Sequence, residues 1–465
     1  MKAGSRDLTQ GNIVRQILAV AFPILFAQVL QSLYHSVDSI VVGNFVGTTA
    51  LAAVTACGDI ARLLVGFFTG LSVGSGVLFS QHFGAKDYKK LHDAIHTAML
   101  FSVVLGAAMA VASIMLTPLL LNLVACPQDV YPEALQYLRI YLIGVFFTSI
   151  YNVASGVLRA VGDSKNPLYY LAAACGLNIA LDLLLVTVFH MGVRGVAVAT
   201  VVSQCLAVFL VFRNMLTTRD VYRVSPKQLR LDKAILKKVL KLGLPAAIQS
   251  SIITLSNLFI QRYINSFGAS AMAGIGAAKK IDKYVGVVSS AVGLATAIFV
   301  AQNIGARKYD RVRKGIFSTI AIGFTGIAMI GIPTYVFAPF LIRVFTADAE
   351  AIQFGVAMIK TIVPLYFTQA LHRIFSNTVR GYGRSGLAMA TTATGMILCR
   401  QAYLVTAMHL DYNVHNIYIS YPAGWICSAV LSIAVYLLIV RKTNGPTDDG
   451  TARSTRKRGS GDAGS

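Results

Sequence analysis

Gln81-His82-Phe83-Gly84-Ala85-Lys86-Asp87-Tyr88 returns 221 residues later as Gln302-Asn303-Ile304-Gly305-Ala306-Arg307-Lys308-Tyr309. The same offset carries Gly47 to Gly268, Arg139 to Lys360, Arg159 to Arg380 and Gly162 to Gly383, so one half of the chain is a diverged copy of the other. Around these segments lie apolar runs long enough to cross a bilayer, which takes about 20 residues. Twelve are counted, at roughly 13–43, 48–80, 92–120, 131–158, 164–190, 194–215, 242–265, 269–302, 311–338, 351–379, 385–409 and 414–440. Each copy holds six, an even number. Both copies must then enter the membrane the same way round, as a parallel repeat about an axis along the membrane normal. The expected fold is an all-α integral membrane protein with twelve transmembrane helices in two six-helix lobes. Lobes at 1–215 and 242–440 are joined by a basic connector at 216–241, and a Gly-, Ser- and Thr-rich tail at 441–465 reads as disordered and cytoplasmic.

Composition agrees, because a chain of 465 residues that is 55% hydrophobic and only 13% charged is too apolar for a soluble protein. Its net charge of +22 sits mostly in short segments between the apolar runs, where it reads as a topology signal and not as a nucleic-acid surface. With the N-terminus placed inside, thirty Lys and Arg fall on that side and only Arg194 and Arg343 on the other. Both termini are therefore expected in the cytoplasm and the protein in the plasma membrane. The first apolar run exceeds a secretory core and lacks a small-residue cleavage site, so it reads as a retained helix. The six cysteines are scattered without metal-ligand spacing.

Within Leu177-Asn178-Ile179-Ala180-Leu181-Asp182-Leu183-Leu184-Leu185, Asp182 puts a carboxylate where hydrocarbon should be. Asn178 precedes it by one helical turn and shares its face. Such a charge costs about 2.5 to 3.5 kcal/mol at the centre of a span, so these residues usually line a protein interior or an ion path. A plain helix–helix hydrogen bond is the alternative. A second carboxylate, Asp38, lies in the first run beyond Pro23, a residue that removes a backbone hydrogen bond and so marks either a moving hinge or a static bend. Thr200, Ser203 and Gln204 add further oxygens in the same half. Two carboxylates among oxygen donors suit a hard cation such as Na+ at Asp38, Asn178 and Asp182, or a proton held by either acid. No resident cofactor or other metal is implied.

Two catalytic patterns are discounted. Gly70-Leu71-Ser72-Val73-Gly74 matches G-x-S-x-G but lies inside one apolar helix, without the strand that a nucleophile elbow requires. Glycines recurring there every fourth residue suit close helix packing. Gly381-Tyr382-Gly383-Arg384-Ser385-Gly386 matches G-x-G-x-x-G but falls in a turn between two helices. No phosphate-loop lysine motif occurs, so any pumping should draw on an ion gradient. An integral-membrane transferase would need clustered acids for metal-bound diphosphate, and D-D-x-x-D is missing from the chain.

Taken together, these residues resemble the multidrug and toxic compound extrusion (MATE) transporters, in the branch nearest the bacterial DinF-like proteins. The resemblance covers about 10–440 and rests on Pro23 and Asp38, Gly70 to Gly76 with Gln81 and Gly84-Ala85, Tyr137 to Ile140, Arg159 to Gly162, Asn178, Asp182, and Gly195 to Gln204. It implies a monomeric twelve-helix antiporter that exports small amphipathic compounds in exchange for Na+ or H+, with membrane lipid as its surroundings. By position, Asp38, Asn178, Asp182 and Thr200 match the family's N-lobe cation site. The offset takes Asp38 to Phe259 and Asp182 to Tyr403, so coupling is expected in the first lobe only. A lipid-linked oligosaccharide flippase of the same superfamily is the rival transporter, opposed by the span count and the matched site.

The spans also differ in charge. The first half carries Asp38, Asp59 and Asp182 against Arg62 and Arg139; the second carries Arg262, Lys279, Lys280, Lys283, Lys360, Arg373 and Arg400 against Asp282. Arg262 and Arg373, nearest the helix ends, can snorkel to an interface. Lys280, Lys283, Lys360 and Arg400 are expected to face a central cavity and attract an anionic or zwitterionic part of the substrate, or else to pair with carbonyls, Asp282 and water.

Overall fold

Apolar runs with no water to satisfy their backbone must satisfy it internally, and helices do so within one segment. The computed structural model describes residues 5–124 and 126–444; the tail expected to be disordered lies outside them from 445 on. The first lobe consists of α1 (Ile13–Phe45), α2 (Thr48–Gly84), α3 (Tyr88–Met115), α4 (Tyr131–Ala160), α5 (Lys165–Val188) and α6 (Gly192–Thr217). The second consists of α7 (Lys233–Asn265), α8 (Ala269–Gly305), α9 (Tyr309–Val336), α10 (Ala349–Gly381), α11 (385–410) and α12 (Val414–Asn444). No strand occurs among the described residues. All but α11 are long and apolar enough to cross a membrane, α10 doing so through a 3-10 turn at Val363–Leu365. The twelfth span, α11, contains Arg400 and is assembled from two α-helical pieces around a π segment, Thr394–Cys399. Outward-facing side chains such as Phe209, 61% exposed, and Met329, 73% exposed, are tolerable only if the surroundings are lipid.

Helix starts are set by short polar side chains that accept from the first free amides. Asn12 accepts from Arg15 N at 3.0 Å and Asp87 from Lys90 N at 3.1 Å. The Lys90 ammonium, 2.7 Å from Asp87, holds that carboxyl below its usual range. Asp232 accepts from Ala234 N and Ile235 N, and α7 therefore begins at Lys233, inside the stretch read as a connector. Basic charge was the signal for a connector there. Buried Val239 and Leu242 show the same residues forming one covered helical face.

The duplication is visible in the backbone itself. Positive φ recurs at Gly47 and Gly268 (126° and 90°), at Lys86 and Arg307 (57° and 56°) and at Gly162 and Gly383 (85° and 78°). A side chain in that region costs roughly 1–2 kcal/mol. Its repetition at Lys86 and Arg307 shows that one way of ending α2 was kept in α8.

The lobes meet where α2 lies on α7 and α8 on α1. Gly70 and Gly74 of α2 face the backbone of Ala246, Ala247, Leu242 and Gly243 so closely that any Cβ would overlap it. At the end where α1 begins and α12 finishes, Gly84 abuts the carbonyl of Gln302 while Gly305 abuts the carbonyl of Gln81. The side chains repeat the exchange: Gln81 Nε2 donates to Gly381 O at 2.9 Å, and Gln302 Nε2 donates to Ala160 O at 2.7 Å. These four residues form two pairs at the repeat offset. Symmetry is broken by the segment before α1, which ties both lobes together. Arg6 N donates to Val161 O at 2.8 Å and Leu8 N to Gln302 Oε1 at 2.9 Å, while Lys308 Nζ donates to Thr9 O at 2.8 Å.

Gly84→Val should force this seal apart, because the added carbons have only backbone to meet. We expect a loss of about 1–3 kcal/mol of stability and faster labelling of Ser376→Cys by an impermeant thiol reagent applied at the sealed end. An unchanged melting temperature and labelling rate would show that the lobes do not depend on this contact.

Candidate functional site

Four side chains that are far apart in sequence converge inside the first lobe. Asp38 on α1 is 4% exposed, Asn178 and Asp182 on α5 are 0%, and Thr200 on α6 is 3%. The i, i+4 spacing of Asn178 and Asp182 puts both on one face of α5, and Asp182 lies two residues before the π segment Leu184–Val188 that ends this helix. The carboxyl groups of Asp38 and Asp182 face each other within hydrogen-bonding reach. Tyr34, one turn before Asp38, lies beside Asp38 and Thr200, and Tyr137 and Tyr141 of α4 close the same side. Both Asp182 oxygens, both amide atoms of Asn178 and the hydroxyl of Ser203 are buried without a hydrogen-bonding partner in the structure. Two facing acceptors surrounded by unused oxygens need a proton or a cation between them. The donor set is all oxygen, the type that hard cations prefer.

A separate cavity of about 390 Å3 lies between the lobes. Pro23 forms part of its wall, and α1 runs through that proline as one continuous helix. The opposite wall holds Gln249 of α7 and the polar face of α10. Arg380 is 8% exposed; its Nη1 donates to Asn377 Oδ1 at 2.8 Å and its Nη2 to Gln249 Oε1, leaving Nε without a partner. Gln249 in turn donates to Ser376 and Thr392. Arg159, His372 and Arg373 complete the basic lining. Arg159 and Arg380 had counted only as topology charges, and Arg373 as a residue free to snorkel. A signal for the first two was available, since an arginine survives at the same place in both copies.

The four basic residues expected at a central cavity are not brought together. None lines the cavity between the lobes. Lys280 is exposed, with its ammonium 5.4 Å from the Phe345 ring centroid, and Lys360 is exposed on α10. Lys283 is exposed with Arg62 of the other lobe as its charged neighbour. Arg400 alone is deeply buried, at 2%, within its own lobe. Its Nη2 donates to Asn257 Oδ1 at 2.8 Å, and its guanidinium stands 4.7 Å from the ring centroid of Tyr421. Tyr421 is the repeat partner of Thr200. At the place that corresponds by the repeat to the first lobe's oxygens, the second lobe thus has a fixed guanidinium. Nearby, Lys279 donates to Gln261 at 3.0 Å and is the charged neighbour of Asp282.

A family model described as MatE matches residues 23–184 and 245–403, one stretch in each lobe. The probable multidrug resistance protein YpnP of Bacillus subtilis (strain 168) is 32% identical over 381 residues, which cover 81% of this chain and 84% of that protein. YoeA of the same organism, also a probable multidrug resistance protein, is 29% identical over 93% of this chain and 95% of its own length. Among solved structures, an outward-facing multidrug resistance MATE family transporter superposes with a TM-score of 0.89 at 20% identity, covering 95% of this chain and 99% of that one. That likeness concerns the fold.

Asn257→Leu should leave the Arg400 charge without its oxygen acceptor. A hydrogen bond to a charged group is worth about 1.5–3 kcal/mol, and a loss of that order should appear as a lower melting temperature, with Asn257→Asp restoring it. A neutral Asn257→Leu would mean that the Tyr421 ring alone suffices.

Proposed function

Because the chain belongs to the MatE family of multidrug efflux transporters, we propose that it is a secondary antiporter exporting small amphipathic compounds in exchange for Na+ or H+. The observation that carries this reading is the facing pair Asp38 and Asp182, buried among oxygens that have no partner. A cation or proton entering there relieves two adjacent negative charges and draws α1 toward α5. Pro23, on the same helix, forms cavity wall, so a change in α1 also changes the space offered to substrate. Linkage requires that ion and substrate alter each other's affinity by the same factor. That coupling converts an inward ion gradient into outward movement of substrate. The chain works as a monomer in the plasma membrane with both termini cytoplasmic, and its two lobes are joined by a connector that ends where α7 begins at Lys233. The flippase reading lacks an observation of its own.

Transport in proteoliposomes with independently imposed Na+ and proton gradients tests this proposal. Asp38→Asn and Asp182→Asn should each reduce gradient-driven efflux to that of protein-free vesicles while the purified protein melts normally, and Asn178→Ala should weaken coupling less. Normal efflux by both Asp variants would place coupling elsewhere. The gradient that supports wild-type efflux identifies the ion.

Pro23→Ala restores a backbone donor inside α1. Efflux should slow while substrate affinity in detergent is retained. An unchanged rate would reduce the proline to a static bend.

A further inference from the structure

The cavity between the lobes has a composition that the coupling site does not explain. Arg159, His372, Arg373 and Arg380 all line it, and no Asp or Glu does. Among the described residues none of the three arginines is in an ion pair. The partners of Arg380 are neutral amide oxygens, which satisfy donors without cancelling charge, and its Nε remains unused although the residue is 92% buried. His372, only 2% exposed, also has an Nδ1 without a side-chain partner. Concentrated positive charge in a protein interior without an acid beside it is unfavourable by itself, and its retention there points to a negative ligand.

Geometry adds a second observation. Arg159 and Arg380 are repeat partners, so the pseudo-two-fold that relates the lobes sets one at the inner end of α4 and the other at the inner end of α10, on opposite walls of one space. Guanidinium groups reaching in from two sides match the several oxygens of a phosphate, sulfonate or carboxylate. The rest of the wall carries no charge: uncharged polar residues such as Gln28, Gln31, Asn152 and Gln204 alternate with an apolar strip to which Ile24, Val73, Leu171, Ile253 and Leu294 contribute. The cavity volume of about 390 Å3 falls in the range of small-molecule sites.

We propose that this cavity binds an amphiphile by its oxyanion head, which sits between Arg159, Arg373 and Arg380 while an apolar body lies along α1, α5 and α8. The assignment rests on the exporter reading for its meaning, since the bound anion would be the exported compound, but the arginines that hold the anion are separate from the acids that hold the ion. Of the basic excess in the spans of the second half, Arg373 alone lines this cavity, where Arg159 and Arg380 join it.

Calorimetric titration of the purified chain in phosphatidylcholine nanodiscs tests the proposal, with 1-naphthyl phosphate as anion and a trimethylammonium naphthalene of similar size as cation. The anion should bind at least about tenfold more tightly than the cation, and Arg159→Gln and Arg373→Gln should each weaken it about tenfold, the scale of one lost charged hydrogen bond. Arg380→Gln is a less secure variant because Arg380 also joins α10 to α7, so each protein is first checked by its melting transition. Equal or tighter binding of the cation, or anion affinity unchanged in folded Arg159→Gln and Arg373→Gln, would overturn the assignment. In phosphatidylglycerol nanodiscs, suppression of naphthyl phosphate binding identifies a lipid headgroup as the occupant, and an unaltered isotherm identifies a free amphiphile. Asp38→Asn should remove the effect of Na+ or pH on anion affinity, whereas Arg373→Gln should weaken the anion at every Na+ concentration and pH, so failure of the coupling reading and failure of this one are separable.

Discussion

Close approach of two helix backbones at the pseudo-two-fold axis is the contact on which the rest of the molecule depends. Gly84 and Gly305 allow the ends of α2 and α8 to touch carbonyl to Cα, and Gln81 and Gln302 then exchange hydrogen bonds with the last turns of α10 and α4. Association of helices in lipid has no hydrophobic drive between lobes and relies on such packing and on interhelical hydrogen bonds. The seal closes one end of the central space and sets the distance across which Arg159 and Arg380 oppose each other. The segment before α1, pinned to both lobes through Arg6 and Leu8, covers the same end.

The duplicated lobes show which features a repeat keeps and which it lets diverge. Turns with left-handed backbone at Lys86 and Arg307 and the glutamine exchange at the seal are retained, because both copies need them to end their helices and to meet. The polar interiors differ. Asp38 and Asp182 correspond to Phe259 and Tyr403, and Thr200 corresponds to Tyr421, whose ring lies against Arg400. One lobe thus gathers oxygens around two facing carboxyls, and the other contains a permanent cation held by an amide and an aromatic face. Each arrangement adjoins a π segment, Leu184–Val188 in α5 and Thr394–Cys399 in α11, where an altered helical ladder gives room for a polar group. This divergence leaves the facing pair of carboxyls to the first lobe.

Charged residues in the spans also separate by how far their side chains reach. Lys280 extends to the Phe345 ring and Lys360 is exposed, as long flexible stems permit. Arg400 and Arg380 are held in place by amide acceptors and stay buried. Burial therefore follows the available partners and not depth along the sequence.

The sequence by itself determined the number of spans, the offset and parallel sense of the repeat, and the candidate pair Asp38 and Asp182. Hydropathy, covalent order and helical periodicity are properties of one dimension and are legible there. Asn178 could be placed with Asp182 because four residues make one turn. The start of α7 was misread, since basic charge was weighed without the Asp232 cap. Only the tertiary structure decided which charges share a space. Arg159, Arg373 and Arg380 meet because α4 and α10 end on opposite sides of the lobe interface, whereas Lys280, Lys283, Lys360 and Arg400 point elsewhere. The direction a side chain takes from a long span depends on the rotation of that helix against its neighbours, and that rotation is fixed by packing between segments hundreds of residues apart.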